Sequence, residues 1–415
     1  MSWMVIPILS SLFIFFVETT YVPPSGILKK VEYDFNCTAI NKNATELNIT
    51  PEDSSLNITL LAKKYGYSIE EHKVTTDDGY ILSLHRLTKN ERLNTTDRMP
   101  VFLMHGLLDS SDSWILQGPN TALGYILVDK GYDVWMGNAR GNKHSSSHTH
   151  LQPDDGRFWK FSWEEIGTHD LPAMIDYALK ISNMESLYYI GHSQGTTSFF
   201  VMMSLKPEYN TKVKLMFALS PIAWLSHAES PVLKYLSLPS SIFQFFQYIN
   251  VLSPSTDLLN RIVTNVCKVT SCSNVLETFF GNNCYISDTM LPVILEHSQS
   301  TSSVLQFLHF WQLHESGTFR RFDYGWLGNI LEYNTFSPPD YDLNGITVPI
   351  ILFYSDNDWL SHPIDVATLK EHLPNVHKSY HTKYLNHIDY LYAGIAKDAV
   401  YMKIIKDIEN FELQR

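Results

Sequence analysis

The chain has 415 residues, with 43 acidic and 31 basic side chains and a formal net charge of −12. A hydrophobic fraction of 44% and a charged fraction of 18% exclude a disordered or fibrous protein, and the length allows a large core in one or two domains. Because no long block of lysine or arginine offsets the negative charge, we predict no nucleic-acid partner.

The chain begins with an apolar stretch, MSWMVIPILSSLFIFFVETTYVPPSG. Its apolar run from Trp3 to Val17 is too short to span a bilayer, and Glu18 with small polar residues follows it. We predict a secretory signal peptide over residues 1–20 and no transmembrane segment in the mature chain. A buried N-terminal helix is the alternative interpretation of the same pattern.

Residues 21–64 follow as a polar segment that we predict to be glycosylated. Four of the five N-x-[ST] sequons lie in it. Their clustering beside a signal peptide is stronger evidence for secretion than any single sequon. The sequons are at Asn36, Asn43, Asn48, Asn57 and Asn94. Signal and sequons together predict a protein that is secreted (to the extracellular space or gut lumen) or lysosomal.

The chain has four cysteines, Cys37, Cys267, Cys272 and Cys284. So few cysteines in so long a chain exclude a disulfide scaffold, and their spacing does not suit a zinc site. One bridge within residues 267–284 is compatible with secretion, and the sequence alone does not pair it. We predict no metal and no cofactor.

Short apolar strands alternate with helices along most of the chain. Residues 67–87 alternate polar and apolar side chains around an Asp-Gly turn, as in a hairpin. Six apolar strand segments follow: MPVFLMHG, YDVWMGNARG, SLYYIGHSQG, VKLMFALSP, VPIILFYSDND and HKSYHTKYLNH. Between the second and third, FSWEEIGTHDLPAMIDYALKIS reads as an amphipathic helix with Ser162 and Glu165 spaced as a capping box. This order predicts an α/β fold with a mostly parallel sheet covered on both faces.

The alternation stops between residues 222 and 345, where aromatic and aliphatic residues dominate without obvious strands. We therefore predict a helical cap or lid over residues 222–345, inserted between two core parts, residues 65–221 and 346–415. The run SIFQFFQYINV in this region fits a surface that binds acyl chains or faces a lipid aggregate. Packing of the cap onto the core explains the same run.

The segment GHSQG places Ser193 between Gly191 and Gly195. A strand that turns at once into a helix holds the residue at the apex in a strained conformation, and the neighbours two positions away must be small. The helix N-terminus behind this serine also directs free N–H groups towards it. The context of a buried strand and a following helix favours a nucleophile over an ordinary turn serine.

A nucleophilic serine needs a base and an acid, which follow it in the order Ser, Asp, His in this architecture. His387 follows the last strand, at the edge where catalytic residues of open α/β sheets collect. Asp356 and Asp358 both follow the strand before it, and spacing does not choose between them. The other late histidines are assigned solvated or structural roles: His362, His372, His377 and His381.

Hydrolysis through a tetrahedral intermediate also needs N–H donors for the oxyanion. The backbone N–H of Gln194, directly after the serine, is the first candidate. The loop HGLLDSSDSW follows an earlier strand and supplies Leu107 as the second candidate. His105 and Gly106 in that loop also fit a tight structural turn. A structural turn and a loop that supplies an oxyanion donor are compatible interpretations.

Five strings resemble the acid lipases, the group of gastric and lysosomal lipases with many insect relatives. They are HGLLDSSDSW, GYDVWMGNARGN, HDLPAMIDY, GHSQGTT and NHIDYLY, and the resemblance runs from about residue 65 to the C-terminus. It implies an α/β-hydrolase fold with a cap and lid, acting on triglycerides or sterol esters without a cofactor.

The resemblance also assigns individual residues. It implies Ser193 as nucleophile, His387 as base and Asp358, before Trp-Leu, as the acid. It further implies Leu107 and Gln194 as the oxyanion donors. The family's cap disulfide falls on Cys267 and Cys272.

Residues and resemblance together predict a secreted or lysosomal serine lipase that hydrolyses acylglycerol esters at a lipid aggregate or interface through an acyl-enzyme. One alternative is a carboxylesterase or sterol esterase with the same catalytic residues. An alternative from another class is a lipid carrier or storage protein that has lost turnover. The sequence leaves the oligomeric state open.

Overall fold

The computed structural model describes residues 47, 49–89, 98–230, 276–277, 279–283, 285–298 and 300–414. The predicted signal peptide, the run SIFQFFQYINV, and the pair Cys267 and Cys272 lie outside these residues. So do four of the predicted glycosylation sites, Asn36, Asn43, Asn48 and Asn94. Asn57 lies within them, is exposed, and caps a helix through a 2.9 Å hydrogen bond from Leu60 N–H.

Nine strands form one sheet in the described part of the chain, in the order β1-β2-β4-β3-β6-β7-β8-β9, with β5 beside β2. The first two strands are antiparallel, β2 meets β4 antiparallel, and all pairs from β4 to β9 are parallel. The strands are β1 Tyr67–Thr75, β2 Tyr80–Lys89, β3 Pro100–Met104, β4 Asp133–Met136, β5 Ser147–His148, β6 Leu187–His192, β7 Val213–Leu219, β8 Ile350–Ser355 and β9 Val376–Thr382. The predicted hairpin and mostly parallel sheet are confirmed.

Helices cover the sheet and connect its strands. They are α1 Ile58–Lys64, α2 Leu123–Asp129, α3 Trp163–Glu165, α4 Leu171–Ser182, α5 Gln194–Leu205, α6 Met290–His297, α7 Val304–Ser316, α8 Gly325–Tyr333, α9 Pro363–His372, α10 Asp389–Tyr392 and α11 Met402–Leu413. The predicted amphipathic helix is present with its capping box, but a π-turn over Ile166–Asp170 divides it into α3 and α4. Pro172 has no N–H to donate within the helix, and the hydrogen bonds just before it widen to the π pattern.

The core lies on both faces of the sheet because the parallel strands alternate their side chains between two apolar clusters. In β3, Val101 and Leu103 enter the cluster beneath α2 and α11, while Phe102 and Met104 enter the one beneath α4 and α5. All four side chains are buried. Such two-sided burial explains why these strands read as continuous apolar runs in the sequence.

The described part of the predicted insertion contains α6, α7 and α8 and one isolated β-bridge, between Arg320 and Asp340. The cap packs on the core through a ring stack of His309 on Trp163, with centroids 3.6 Å apart. Arg321 pairs with Glu164 at 2.6 Å beside this stack. The bounds of the insertion stay a prediction.

The end of the predicted polar segment packs on the core. Ile58, Leu61 and Ala62 on α1 are buried in the same cluster as α2. Buried Asp53 receives hydrogen bonds from Lys64 Nζ at 2.6 Å and Tyr65 Oη at 2.5 Å. The predicted boundary between the polar segment and the core, at residue 65, stays a prediction.

Among the residues that the structure describes, none of the helices combines the length and the apolar character that a membrane span requires.

Candidate active site

Ser193 lies at the apex between the buried strand β6 and helix α5, with φ 52° and ψ −121°. This backbone conformation is strained for a residue with a side chain. A Cβ on Gly195 would overlap the carbonyl oxygen of Met104, and one on Gly191 would lie 2.9 Å from the Gly195 carbonyl oxygen. The two glycines thus allow the turn that presents the Ser193 hydroxyl at the carboxyl edge of the sheet.

The structure brings Ser193, His387 and Asp358 together from three distant parts of the chain. His387 Nε2 lies 2.8 Å from Ser193 Oγ. His387 Nδ1 lies 2.9 Å from Asp358 Oδ1 and 3.1 Å from Asp358 Oδ2. With Nδ1 donating to the carboxylate, Nε2 is left to accept the serine proton.

Asp358 is buried and its carboxylate is held from several sides. Backbone N–H groups of Leu360 and Ser361 donate to Oδ1 at 3.0 and 2.8 Å. Burial raises the pKa of Asp358, but the neighbouring His387 charge and the hydrogen bonds outweigh burial and leave that pKa below its ordinary value. Asp356, the other candidate, instead pairs with His381 Nε2 at 2.6 Å.

Ser220 is a member of this site that the sequence analysis missed. It follows β7 with φ 54°, and its hydroxyl donates to Asp358 Oδ2 and lies 2.9 Å from His387 Nδ1. The one available signal was its place directly after a buried strand, at the edge where such side chains collect.

The oxyanion candidates Leu107 and Gln194 lie in the loop after β3 and at the first position of α5. Within the described part of the chain, neither backbone N–H donates a hydrogen bond to another residue. A Cβ on Gly106 would lie 3.1 Å from Ser193 Cβ, so this loop passes directly over the nucleophile. The absence of another partner is compatible with the predicted role of both N–H groups as oxyanion donors, which stays a prediction.

Two buried histidines with lowered pKa values, His105 and His192, are hydrogen-bonded to the backbone of the surrounding loops. Burial lowers the pKa of His105 to about 4, and His105 Nε2 accepts from Ala139 N–H at 3.1 Å. Burial lowers the pKa of His192 to about 3, and its Nε2–H donates to the His387 carbonyl at 2.8 Å. His105 is thus a structural member of the loop that carries the candidate donor Leu107, and His192 supports the backbone of the candidate base.

Comparisons with known proteins agree with this geometry. A family model described as the alpha/beta hydrolase fold matches residues 99–393, and one described as a partial alpha/beta-hydrolase lipase region matches residues 58–118. Lipase 1 of Drosophila melanogaster is 41% identical over 366 residues, covering 86% of this chain and 80% of the relative. Gastric triacylglycerol lipase of Homo sapiens is 36% identical over 364 residues, covering 86% and 92%.

The chain belongs to the acid lipase family of α/β hydrolases. The resemblance stated from the sequence is thereby confirmed, and the protein is a hydrolase of carboxylic esters. The solved Acinetobacter baumannii protein Lip1 superposes with a TM-score of 0.54 at 13% identity, covering 90% of this chain and 100% of that chain. This likeness concerns the fold alone.

In the described part of the chain, the other late histidines of this acid lipase make no hydrogen bond to the Ser193 hydroxyl. His362 caps α9, His372 ends that helix, and His377 and His381 lie on β9. Their structural or solvated roles stay a prediction.

Within the described residues, one group of three side chains meets the distance criterion for a metal site, with ligand atoms within 4.8 Å of one another. The group consists of Asp77, Asp78 and His169, and its carboxylates are exposed. Arg140 pairs with Asp78 at 2.5 Å and thus neutralises part of its charge. The candidate active site does not use these residues.

Proposed function

We propose that this acid lipase hydrolyses acylglycerol esters, with Ser193 as nucleophile, His387 as general base and acid, and Asp358 as the carboxylate that orients the imidazole. The proposal rests on one observation, the continuous hydrogen-bond chain from Ser193 Oγ through His387 to Asp358. Gastric triacylglycerol lipases at 36–37% identity support the substrate class.

In the first step Ser193 Oγ attacks the ester carbonyl carbon while its proton passes to His387 Nε2. The N–H groups of Leu107 and Gln194 stabilise the negative oxygen of the tetrahedral intermediate. Collapse breaks the bond to the alcohol, which leaves with the proton from His387. Water then attacks the acyl-enzyme in the same manner and releases the fatty acid.

Hydrolysis rates on two substrates test the proposal. We expect the wild-type protein to hydrolyse both a long-chain triglyceride emulsion and a soluble short-chain ester, and Ser193→Ala to lower both rates by about a million-fold. Turnover of the short ester alone would favour a carboxylesterase. Lipid binding without turnover of either substrate would favour a carrier protein.

We further propose that the enzyme works at a lipid surface, and exposed apolar side chains on the cap support this. Trp326, Leu327 and Leu331 on α8 are 65%, 56% and 80% exposed, and nearby Phe336 is 75% exposed. Apolar groups displayed together are typical of a surface that contacts lipid or protein. Arg321, just before α8, pairs with Glu164 on α3 at 2.6 Å, which ties the start of this part of the cap to the core.

The double variant Trp326→Ser and Leu331→Ser tests this surface. Each side chain transferred into lipid contributes about 1.5–3 kcal/mol, so we expect an about tenfold or larger loss of hydrolysis on emulsified triglyceride and a change below about twofold on the soluble ester. Leu413→Ser, at an 86% exposed position near the C-terminus, is the matched control and leaves both rates unchanged. Equal losses on both substrates would contradict a surface role.

We also propose secretion or lysosomal delivery, supported by the apolar N-terminal run and the clustered sequons. N-terminal sequencing of protein from the culture medium of eukaryotic cells is expected to start near residue 21. Retention inside the cell with residues 1–20 attached would contradict this proposal.

A further inference from the structure

The loops that carry the candidate acid and base both contact a short cap segment, residues 279–283. The His387 N–H donates to the Phe280 carbonyl at 3.1 Å. The Phe280 ring lies nearly parallel to the His387 imidazole, at 11° with centroids 6.1 Å apart. The cap segment therefore touches the residue that moves the proton in the proposed reaction.

Asn357 joins this segment to both loops. It directly precedes Asp358 and is 1% exposed. Its Nδ2 donates to the carbonyls of Asn282 at 2.9 Å and Tyr384 at 3.0 Å. Its Oδ1 accepts from the N–H and the Nδ2 of Asn282 at 3.0 and 3.1 Å. Both donors and the acceptor of this buried amide are thus fully used.

Two further features show how closely the segment fits. Gly281 has φ 107°, and a Cβ there would overlap the Asn357 carbonyl oxygen. Asn386, which directly precedes His387, donates from Nδ2 to the Asn282 carbonyl at 3.3 Å. The residue before the acid and the residue before the base therefore bind the same carbonyl group.

We propose that Asn357 is a positioning residue that holds the Asp358 loop, the His387 loop and cap segment 279–283 in one arrangement. The inference rests on the proposed function, because Asn357 acts only through the positions of Asp358 and His387. Catalysis is sensitive to such positions, since a displacement of about 1 Å costs about 100-fold in rate. Cap segment 279–283 thus helps to fix the positions of the candidate acid and base.

Asn357→Asp is the sharpest test because it keeps the shape and removes both donors. The ionised carboxylate would face the carbonyl oxygens of Asn282 and Tyr384 and separate the loops. We expect kcat on a soluble short-chain ester to fall about 10- to 100-fold, with KM within about twofold of wild type. A protonated carboxyl restores one donor, so the ratio of variant to wild-type kcat is expected to rise as the pH is lowered.

Asn210→Asp is the matched control. Asn210 Nδ2 donates to the carbonyls of Pro207 and Gly345 at 2.9 and 3.1 Å, and Oδ1 accepts from Thr347 and Val348 N–H. This amide joins the chain before β7 to the chain before β8, at the opposite edge of the sheet. The control is expected to lower the melting midpoint without changing kcat or its pH dependence.

Two outcomes would overturn the inference. One is wild-type kcat in folded Asn357→Asp, and the other is a kcat ratio that does not change with pH. Ser193→Ala, measured in parallel, keeps the two proposals apart. An active Ser193→Ala protein would overturn the proposed function itself, whereas an inactive one beside a fully active Asn357→Asp would overturn only the role of Asn357.

Discussion

Asp358→Asn is expected to lower kcat by about a thousand- to ten-thousand-fold with little change in fold. The amide NH₂ of an asparagine would turn towards His387 Nδ1, which would then accept rather than donate. The remaining proton would sit on Nε2, facing Ser193 Oγ at 2.8 Å, and the imidazole could no longer take the serine proton. Steady-state hydrolysis of a soluble ester measures this loss.

Asp356→Asn is the control for that prediction. Asp356 pairs with the half-exposed His381 at 2.6 Å, and such exposed pairs contribute about 0–1 kcal/mol. We expect kcat within about twofold of wild type. The opposite result, a large loss from Asp356→Asn and a small one from Asp358→Asn, would transfer the role of the acid to Asp356.

Gly195→Ala is expected to destabilise the fold by about 3 kcal/mol and to lower hydrolysis at least about 100-fold. The new methyl group would overlap the carbonyl oxygen of Met104 and lie 2.9 Å from that of His105. Both obstacles are backbone atoms at the end of β3, so relief requires a shift of α5 or of the oxyanion loop. Denaturant unfolding and ester hydrolysis measure the two effects.

Gly345→Ala separates this clash from the general effect of replacing a glycine. No heavy atom outside its own chain neighbours lies within 4 Å of a Cβ at residue 345. We expect stability within about 1 kcal/mol of wild type and unchanged activity. A Gly195→Ala protein as stable and active as Gly345→Ala would contradict the close approach of α5 to β3.

Much of the fold could be predicted from the sequence because its signals are local. Continuous apolar strands ending in GHSQG and SDND mark a parallel sheet and its carboxyl edge. The strained turn at Ser193 is predictable because steric exclusion requires Gly191 and Gly195 at fixed spacing. His387 follows from its place after the last strand.

The remaining features depend on contacts between distant segments. Asp356 and Asp358 have similar sequence surroundings, and only the path of the chain after β8 directs one towards His387 and the other towards His381. No sequence motif marks Ser220, because its hydroxyl reaches Asp358 only through the pairing of β7 with β8. In the sequence, Asn357 is typical of a turn residue. Its further role depends on contacts with the cap segment, which only the fold brings to it.

The central claim is that Ser193 is the nucleophile of an ester hydrolase, and covalent labelling tests it most directly. Folded protein is treated with a serine-directed alkyl phosphonate, digested and mapped by mass spectrometry, while hydrolysis is followed in parallel. We expect one adduct, on Ser193, formed in proportion to the loss of activity, and no adduct on Ser193→Ala. An adduct elsewhere that abolishes activity, or a Ser193→Ala protein that is labelled and hydrolyses esters at the wild-type rate, would contradict the account.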